Sequence, residues 1–116
     1  MNNKQIVTAF AITLFCTVSS QTLVADAPIQ GNEADGKIKA VLCFGCHGLN
    51  GEGRVMPNGQ PSIPLIAGQI PGYFVKSLYE YKTDKRLDPM MNAVAKGLTD
   101  IDIANLAAYY ATLKRN

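Results

Sequence analysis

Apolar residues recur at helical spacing in a stretch that begins near residue 32. Asn32 or Asp35 can cap a helix that extends towards Leu42. Four residues at helical spacing give this helix one apolar face: Ala34, Ile38, Val41 and Leu42. Gly36 lies near its start, where glycine lowers helix stability. Gly36 therefore predicts close packing against another helix.

A second helix is predicted from Pro71 to about Lys82. Proline suits the first position of a helix, where its missing amide hydrogen is not needed. The apolar stripe of this helix has the spacing i, i+4, i+7 and is rich in aromatic residues: Phe74, Leu78 and Tyr81. Such a stripe is typical of a packed core.

Two more helices are predicted near the C-terminus. Asp88 and Pro89 fit the N-cap and first position of a short helix that extends to Lys96. Thr99 caps the last helix, and Asp102 three residues later completes a capping box. The buried face of this helix is predicted at Ile103, Leu106, Ala107 and Tyr110.

The segment from residue 48 to 68 holds five glycines and three prolines. This density of turn-forming residues predicts a long loop without regular structure, and we expect no strand in the chain. The pattern as a whole indicates an all-α domain of three to four helices. The loop is too rich in glycine and proline to form a core of its own, so we expect it to lie against another group.

The N-terminal segment has the layout of a secretory signal peptide. Lys4 precedes an uncharged apolar run, small and polar residues continue to Ala25, and the first acidic residue is Asp26. We therefore expect a leader over residues 1–25, which takes Cys16 with it, and one domain over residues 26–116. The alternative is an uncleaved segment that anchors the protein to a membrane.

The charge balance argues against nucleic acid as a partner. The formal net charge is +2 at pH 7, which gives no basic surface for nucleic acid. The local basic cluster at Lys82, Lys85 and Arg86 is interrupted by Asp84 and followed by Asp88. A solvated loop is the favoured interpretation, with a docking patch as the alternative.

The strongest chemical signal is Cys43-Phe44-Gly45-Cys46-His47. Two thiols three positions apart with a histidine next to the second are typical of c-type haem attachment. The thiols would form thioethers with the haem vinyl groups, and the imidazole would bind iron. A covalently held haem would also supply core to a chain with little of its own.

Three other interpretations of the motif compete. A redox pair of the thioredoxin type requires a βαβ setting, and no strand pattern flanks this one. A zinc site requires four ligands, and the mature chain has no further Cys or His. A structural disulfide leaves the histidine without a role.

The ordered set of motifs resembles a class I cytochrome c, and within that class a single-haem domain like those of the cytochrome c4, c5 and c553 groups. The similar stretches cover nearly the whole mature region: Cys46-His47-Gly48, Pro64-Leu65-Ile66-Ala67-Gly68-Gln69, Arg86 with Asp88-Pro89-Met90-Met91, and Leu106-Ala107-Ala108-Tyr109-Tyr110. Members of the c4 group carry two such domains, whereas this chain has one. The resemblance implies the class I cytochrome c fold, built around one covalent haem c.

The resemblance also assigns roles to individual residues. Cys43 and Cys46 would carry the haem, and His47 would bind its iron. The carbonyl of Pro64 would accept a hydrogen bond from the other imidazole nitrogen, which fixes the ring. Arg86 would pair with a haem propionate, and a solvated surface arginine is the alternative.

The second axial ligand is ambiguous because the chain has two adjacent methionines. The family pattern is Asp-Pro, one variable residue and then the ligand, which selects Met91 over Met90. Adjacent helical residues point about 100° apart, so only one of the two can face the iron. The resemblance further implies that Gly36 and Tyr109 meet where the first and last helices cross.

The function implied by the resemblance is electron transfer outside the cytoplasm. With His and Met as ligands, no iron position is open to substrate, so the protein would not be an enzyme by itself. Its partners would be a quinol-side donor and an oxidase or reductase acceptor, in the periplasm. The alternatives are the cytochrome subunit of a flavoprotein or other dehydrogenase, and a ligand-binding haem enzyme or sensor.

We predict that the denatured protein keeps haem-dependent peroxidase staining on a gel, because thioethers survive denaturation. Replacing Cys43 and Cys46 together with Ala should abolish the stain. An unstained wild-type band, after expression with the haem-attachment machinery, would contradict the assignment.

Overall fold

The computed structural model describes residues 29–115, so the predicted leader and Cys16 lie outside the described range. The elements in chain order are α1 (Glu33–Lys39), α2 (Val41–His47), β1 (Arg54–Val55), β2 (Pro61–Ile63), α3 (Pro71–Lys82), α4 (Pro89–Lys96) and α5 (Asp100–Thr112). The domain is mostly helical, as predicted. Within residues 29–115, no helix has the length and apolar character needed to cross a membrane.

The first predicted helix is divided in two, so the described residues hold five helices rather than three to four. The break lies at Ala40, whose amide donates to the Gly36 carbonyl at the end of α1. Asn32 is the cap of α1, because its side chain accepts from the Asp35 amide at 3.1 Å.

The apolar face predicted for this region was wrong. Ile38, Val41 and Leu42 are 73%, 64% and 65% exposed. The buried positions are instead Gly36 and Ala40. The buried residues here are the small ones, because α5 lies so close to α1 that larger side chains do not fit between the helices.

The expectation of no strand was also wrong. β1 and β2 pair as a short antiparallel hairpin inside the long loop. The Met56 amide donates to the Gln60 carbonyl at 2.7 Å, and the Gly59 amide to the Met56 carbonyl at 2.8 Å. Gly59 has φ +81°, a conformation that favours glycine. The turn-forming residues that suggested irregular structure therefore close a tight turn.

The predicted caps of the two C-terminal helices are confirmed. One carboxylate oxygen of Asp88 accepts from the amides of Met90 and Met91 at 3.0 and 2.9 Å. The Thr99 hydroxyl accepts from the Asp102 amide, and the Asp102 carboxylate accepts from the Thr99 amide. These bonds join neighbouring residues, which is why the sequence predicts them well.

The core surrounds α5, which packs against α1 and α3. The predicted buried face is confirmed, with Tyr109 as an additional member: Ile103, Leu106, Ala107, Tyr109 and Tyr110. The Tyr110 ring stacks on Phe74 of α3, with centroids 5.4 Å apart. This core lies behind the cleft described below and supports its walls.

The predicted contact between Gly36 and Tyr109 is present. A Cβ at Gly36 would meet the backbone of Asn105, including its carbonyl carbon at 2.6 Å, and the Tyr109 Cβ at 2.8 Å. The backbones of α1 and α5 therefore approach each other as closely as glycine permits.

We predict that Gly36→Ala destabilises the haem-bearing protein by about 1–3 kcal/mol, because the added methyl forces the two helices apart. Gly72→Ala is the matched control, since a Cβ there meets no described atom within 4 Å. Denaturant unfolding would give both values. Equal stability of the two variants would contradict the close crossing.

Candidate functional site

A mostly apolar cleft of about 470 Å³ lies in front of the core. Its walls come from α2, α3 and α4, from the segment 62–69 and from Leu106 of α5. All the residues assigned to the site from the sequence line this one cleft: Cys43, Cys46, His47, Pro64, Arg86 and Met91. Residues separated by almost fifty positions in the chain are thus brought together.

Helix α2 delivers the motif to the cleft. Cys43 is partly buried and Cys46 is exposed, and no disulfide joins them. Burial raises the pKa of the Cys43 thiol, an effect that the nearby Tyr110 hydroxyl partly offsets. Among residues 29–115, no group of three or more His, Cys, Asp and Glu side chains is placed to hold a metal ion. The zinc interpretation therefore has no ligand set in this part of the chain.

His47 is held in one orientation. Its side chain is 7% exposed, and Nδ1 lies 2.8 Å from the carbonyl oxygen of Pro64. A carbonyl only accepts hydrogen bonds, so Nδ1 is the donor, and in the neutral ring Nε2 is then the nitrogen with the lone pair. A neutral imidazole with a fixed ring and a free Nε2 is the form that binds metal ions.

The long loop is tied back to the motif by its own backbone. The Gly53 amide donates to the His47 carbonyl at 2.8 Å, and the Ile66 amide donates to the Gly51 carbonyl at 2.8 Å. Gly53 has φ +72°, and a Cβ there would lie 2.8 Å from the carbonyl carbon of Pro64. This glycine lets the loop bring the Pro64 carbonyl to His47.

The two methionines differ in burial although both line the cleft. Met91 is partly buried and packs against the core, whereas Met90 is 70% exposed. Asp88 caps the amides of both residues and so fixes the start of α4 beside the cleft. Met91 is therefore the more enclosed of the two methionines.

Arg86 lines the cleft with its guanidinium carbon 4.8 Å from the centroid of the Tyr81 ring. Two further polar residues on the wall, Tyr73 and Ser77 of α3, were missed as functional residues by sequence reasoning. The signal was their spacing, because Tyr73, Ser77 and Tyr81 follow one another at intervals of four residues and so lie on one side of the helix.

The cytochrome c family profile matches residues 34–114. This chain belongs to the cytochrome c family. Cytochrome c4 of Thiocapsa roseopersicina is 42% identical over 89 residues, which are 76% of this chain and 43% of that protein. The cytochrome subunit of sulfide dehydrogenase of Chlorobaculum tepidum is 32% identical over 101 residues, 87% of this chain and 84% of that subunit.

Comparison with solved structures agrees with this family assignment. The solved structure of cytochrome c4 from Acidithiobacillus ferrooxidans has a TM-score of 0.57 and 28% identity, covering 76% of this chain and 57% of that one. The chain spans less than half the length of the Thiocapsa cytochrome c4. It shares the class I cytochrome c fold with these proteins.

As a cytochrome c, the chain carries a covalently bound haem c, with Cys43 and Cys46 in its CxxCH motif. The cleft fits this group on three counts. Its walls are mostly apolar, both thiols line it, and the Ser77 hydroxyl on its wall is buried without a hydrogen-bond partner in residues 29–115. The macrocycle would match the apolar walls, the vinyl groups would match the two thiols, and a propionate would match the Ser77 hydroxyl.

We predict that Gly53→Ala is more destabilising than Gly59→Ala in the haem-bearing protein. Both positions have positive φ, so an alanine at either one carries a conformational strain of about 1–2 kcal/mol. Only at Gly53 does the new methyl also press on the segment that holds the Pro64 carbonyl, because a Cβ at Gly59 meets no described atom within 4 Å.

Denaturant unfolding of the two variants measures the difference. The excess cost at Gly53 should be about 1–3 kcal/mol, as for an overpacked site. An equal loss at both positions would mean that the loop tolerates the contact, and that its fit against His47 is not tight.

Proposed function

We propose that the protein is an electron carrier that cycles its haem c without binding a substrate at the iron. The observation that supports this proposal is that His47 and Met91 line the same cleft. His47 uses Nδ1 for its hydrogen bond to Pro64, which leaves Nε2 free, and Met91 is partly buried. These two side chains would hold the haem iron. When bound, the haem supplies one-electron chemistry between Fe(II) and Fe(III).

The assigned ligands set the direction of electron flow. Met and His together raise the reduction potential of a haem, so the protein would accept electrons from a quinol-side donor and pass them to an oxidase or reductase. The Pro64 carbonyl moderates this effect, because a hydrogen bond to Nδ1 raises the basicity of the imidazole ligand. Arg86 would compensate the charge of a haem propionate.

The surface around the cleft suits brief contact with redox partners. Leu42 and Met90 line the cleft and are 65% and 70% exposed. An apolar rim of this kind would support small and short-lived interfaces, as redox encounters have. The signal-like segment over residues 1–25 supports export to the periplasm. Membrane contact would follow only if that segment is not cleaved.

A second candidate function is the cytochrome subunit of a dehydrogenase complex. It is favoured by the similarity to the cytochrome subunit of sulfide dehydrogenase, which extends over 87% of this chain. A stable partner that co-purifies with the chain would support this role, whereas a free carrier would purify alone. A ligand-binding haem enzyme or sensor would require the Met ligand to be absent or labile.

We predict that Met91→Ala abolishes the weak long-wavelength charge-transfer band that ferric haem shows with Met and His ligands. The reduced variant should bind carbon monoxide, since its sixth position is open, while the reduced wild type should not. Absorption spectroscopy measures both effects.

Met90→Ala is the matched control for this experiment. It removes a thioether from the same helical turn, but from a side chain that is mostly exposed, so the band should persist. Loss of the band in Met90→Ala with retention in Met91→Ala would move the ligand to Met90. Carbon monoxide binding by the reduced wild type would favour the sensor or enzyme.

A further inference from the structure

The turn between α3 and α4, residues 83–88, is fastened by the side chain of Asn92. Its Nδ2 donates to the carbonyl of Tyr81 at 2.6 Å and to the carbonyl of Arg86 at 2.8 Å. Its Oδ1 accepts from the amide of Asp88 at 2.8 Å. The first carbonyl belongs to the last turn of α3, and the amide belongs to the N-cap of α4. One side chain therefore joins both helix ends and the chain between them.

Asparagine has the chemistry that this position requires. Its terminal amide carries two donor hydrogens on Nδ2 and an acceptor on Oδ1, and both donors and the acceptor are used here. An ionised aspartate has no donor and leucine has neither group, although both have nearly the same shape. Asparagine has a low helix propensity. These bonds, rather than helix formation, therefore account for Asn92 near the start of α4.

Met91 lies between the two residues that carry this network. The Asp88 side chain accepts from the Met91 amide at 2.9 Å, and the Asp88 carbonyl accepts from the Asn92 amide at 2.8 Å. The backbone of Met91 is thus fixed to the turn, and through Asn92 to the end of α3. Since Tyr81 and Met91 both line the cleft, the network sets how two of its walls stand to each other.

A second contact between α4 and the turn is weaker. Lys96 Nζ lies 2.7 Å from Asp84 Oδ1, but the two side chains are 52% and 54% exposed. An ion pair in water contributes little to stability. Asn92, by contrast, is partly buried and makes its three bonds to backbone groups. We therefore expect Asn92 to decide how rigidly α4 is held.

We propose that Asn92 is a positioning residue for the iron ligand: by locking the turn between α3 and α4, it keeps the Met91 thioether at the haem iron. A methionine side chain has three rotatable bonds, so a mobile backbone would let the sulfur leave. The inference rests on the proposed function, in which Met91 is a ligand. It adds the residue that makes this ligand firm and thereby excludes small molecules from the iron.

Asn92→Asp and Asn92→Ala test this in the full haem-bearing protein. The first variant keeps the acceptor for Asp88 but turns a carboxylate oxygen towards two carbonyls, and the second removes all three bonds. In both, the ferric charge-transfer band should disappear on heating before the helices unfold, as followed by circular dichroism. A purely structural role would instead lower both temperatures together.

Carbon monoxide gives a second readout. The apparent affinity of the reduced Asn92 variants for carbon monoxide should exceed that of the wild type by about tenfold, which corresponds to about 1.4 kcal/mol. This is the order of the net contribution of one hydrogen bond. Absorption spectroscopy of the reduced proteins under graded carbon monoxide measures the effect.

Lys96→Ala is the matched control, because it breaks the exposed contact between α4 and the same turn. It should keep both the band and the low affinity for carbon monoxide. The inference is overturned if the Asn92 variants lose the band only together with their helices and bind carbon monoxide no better than the wild type. It is also overturned if Lys96→Ala behaves as they do. Failure of the proposed function differs, since the wild type itself would then lack the band.

Discussion

The hydrogen bond between His47 Nδ1 and the Pro64 carbonyl joins two of the parts of the chain that enclose the cleft. One part is the motif helix α2, and the other is the glycine- and proline-rich segment, whose only regular structure is a short hairpin. The bond fixes the tautomer and the orientation of the imidazole at the same time. This contact therefore links the position of the loop to the chemistry of the site.

The other side of the cleft depends on packing rather than on hydrogen bonding. Tyr110, Ile103 and Leu106 of α5 are fully buried, and α5 supports both α1 and α3. Several side chains on the cleft walls are also in contact with this core, among them Cys43, Phe74 and Met91. A haem held between these walls would extend the core, since apolar area removed from water contributes about 25 cal/mol per Å².

The sequence predicts best what is decided locally. The capping bonds of Asp88 and of Thr99 with Asp102 join residues two or three positions apart, and each was correct. The motif at Cys43 to His47 is equally local. The role of Pro64 and the partner of Gly36 were reached only through the family resemblance, because the contact of Pro64 lies 17 positions away and that of Gly36 is on another helix.

Each error has its own physical cause. Periodicity predicted that α1 and α2 would bury Ile38, Val41 and Leu42, but the close approach of α5 selects the face with Gly36 and Ala40. The hairpin was missed because glycines that break a helix can also close a turn. Ser77 was missed because a serine within an aromatic stripe looks neutral until its burial on the cleft wall is seen.

The domain is expected to fold around its haem, and the haem-free Cys43→Ala/Cys46→Ala protein tests this most directly. Its thermal unfolding and its amide proton spectrum can be compared with those of the haem-bearing wild type. We expect the haem-free chain to show no cooperative transition and poorly dispersed amide signals, because the loop and the cleft walls lack a common partner. A cooperative transition with native-like dispersion in that variant would contradict it.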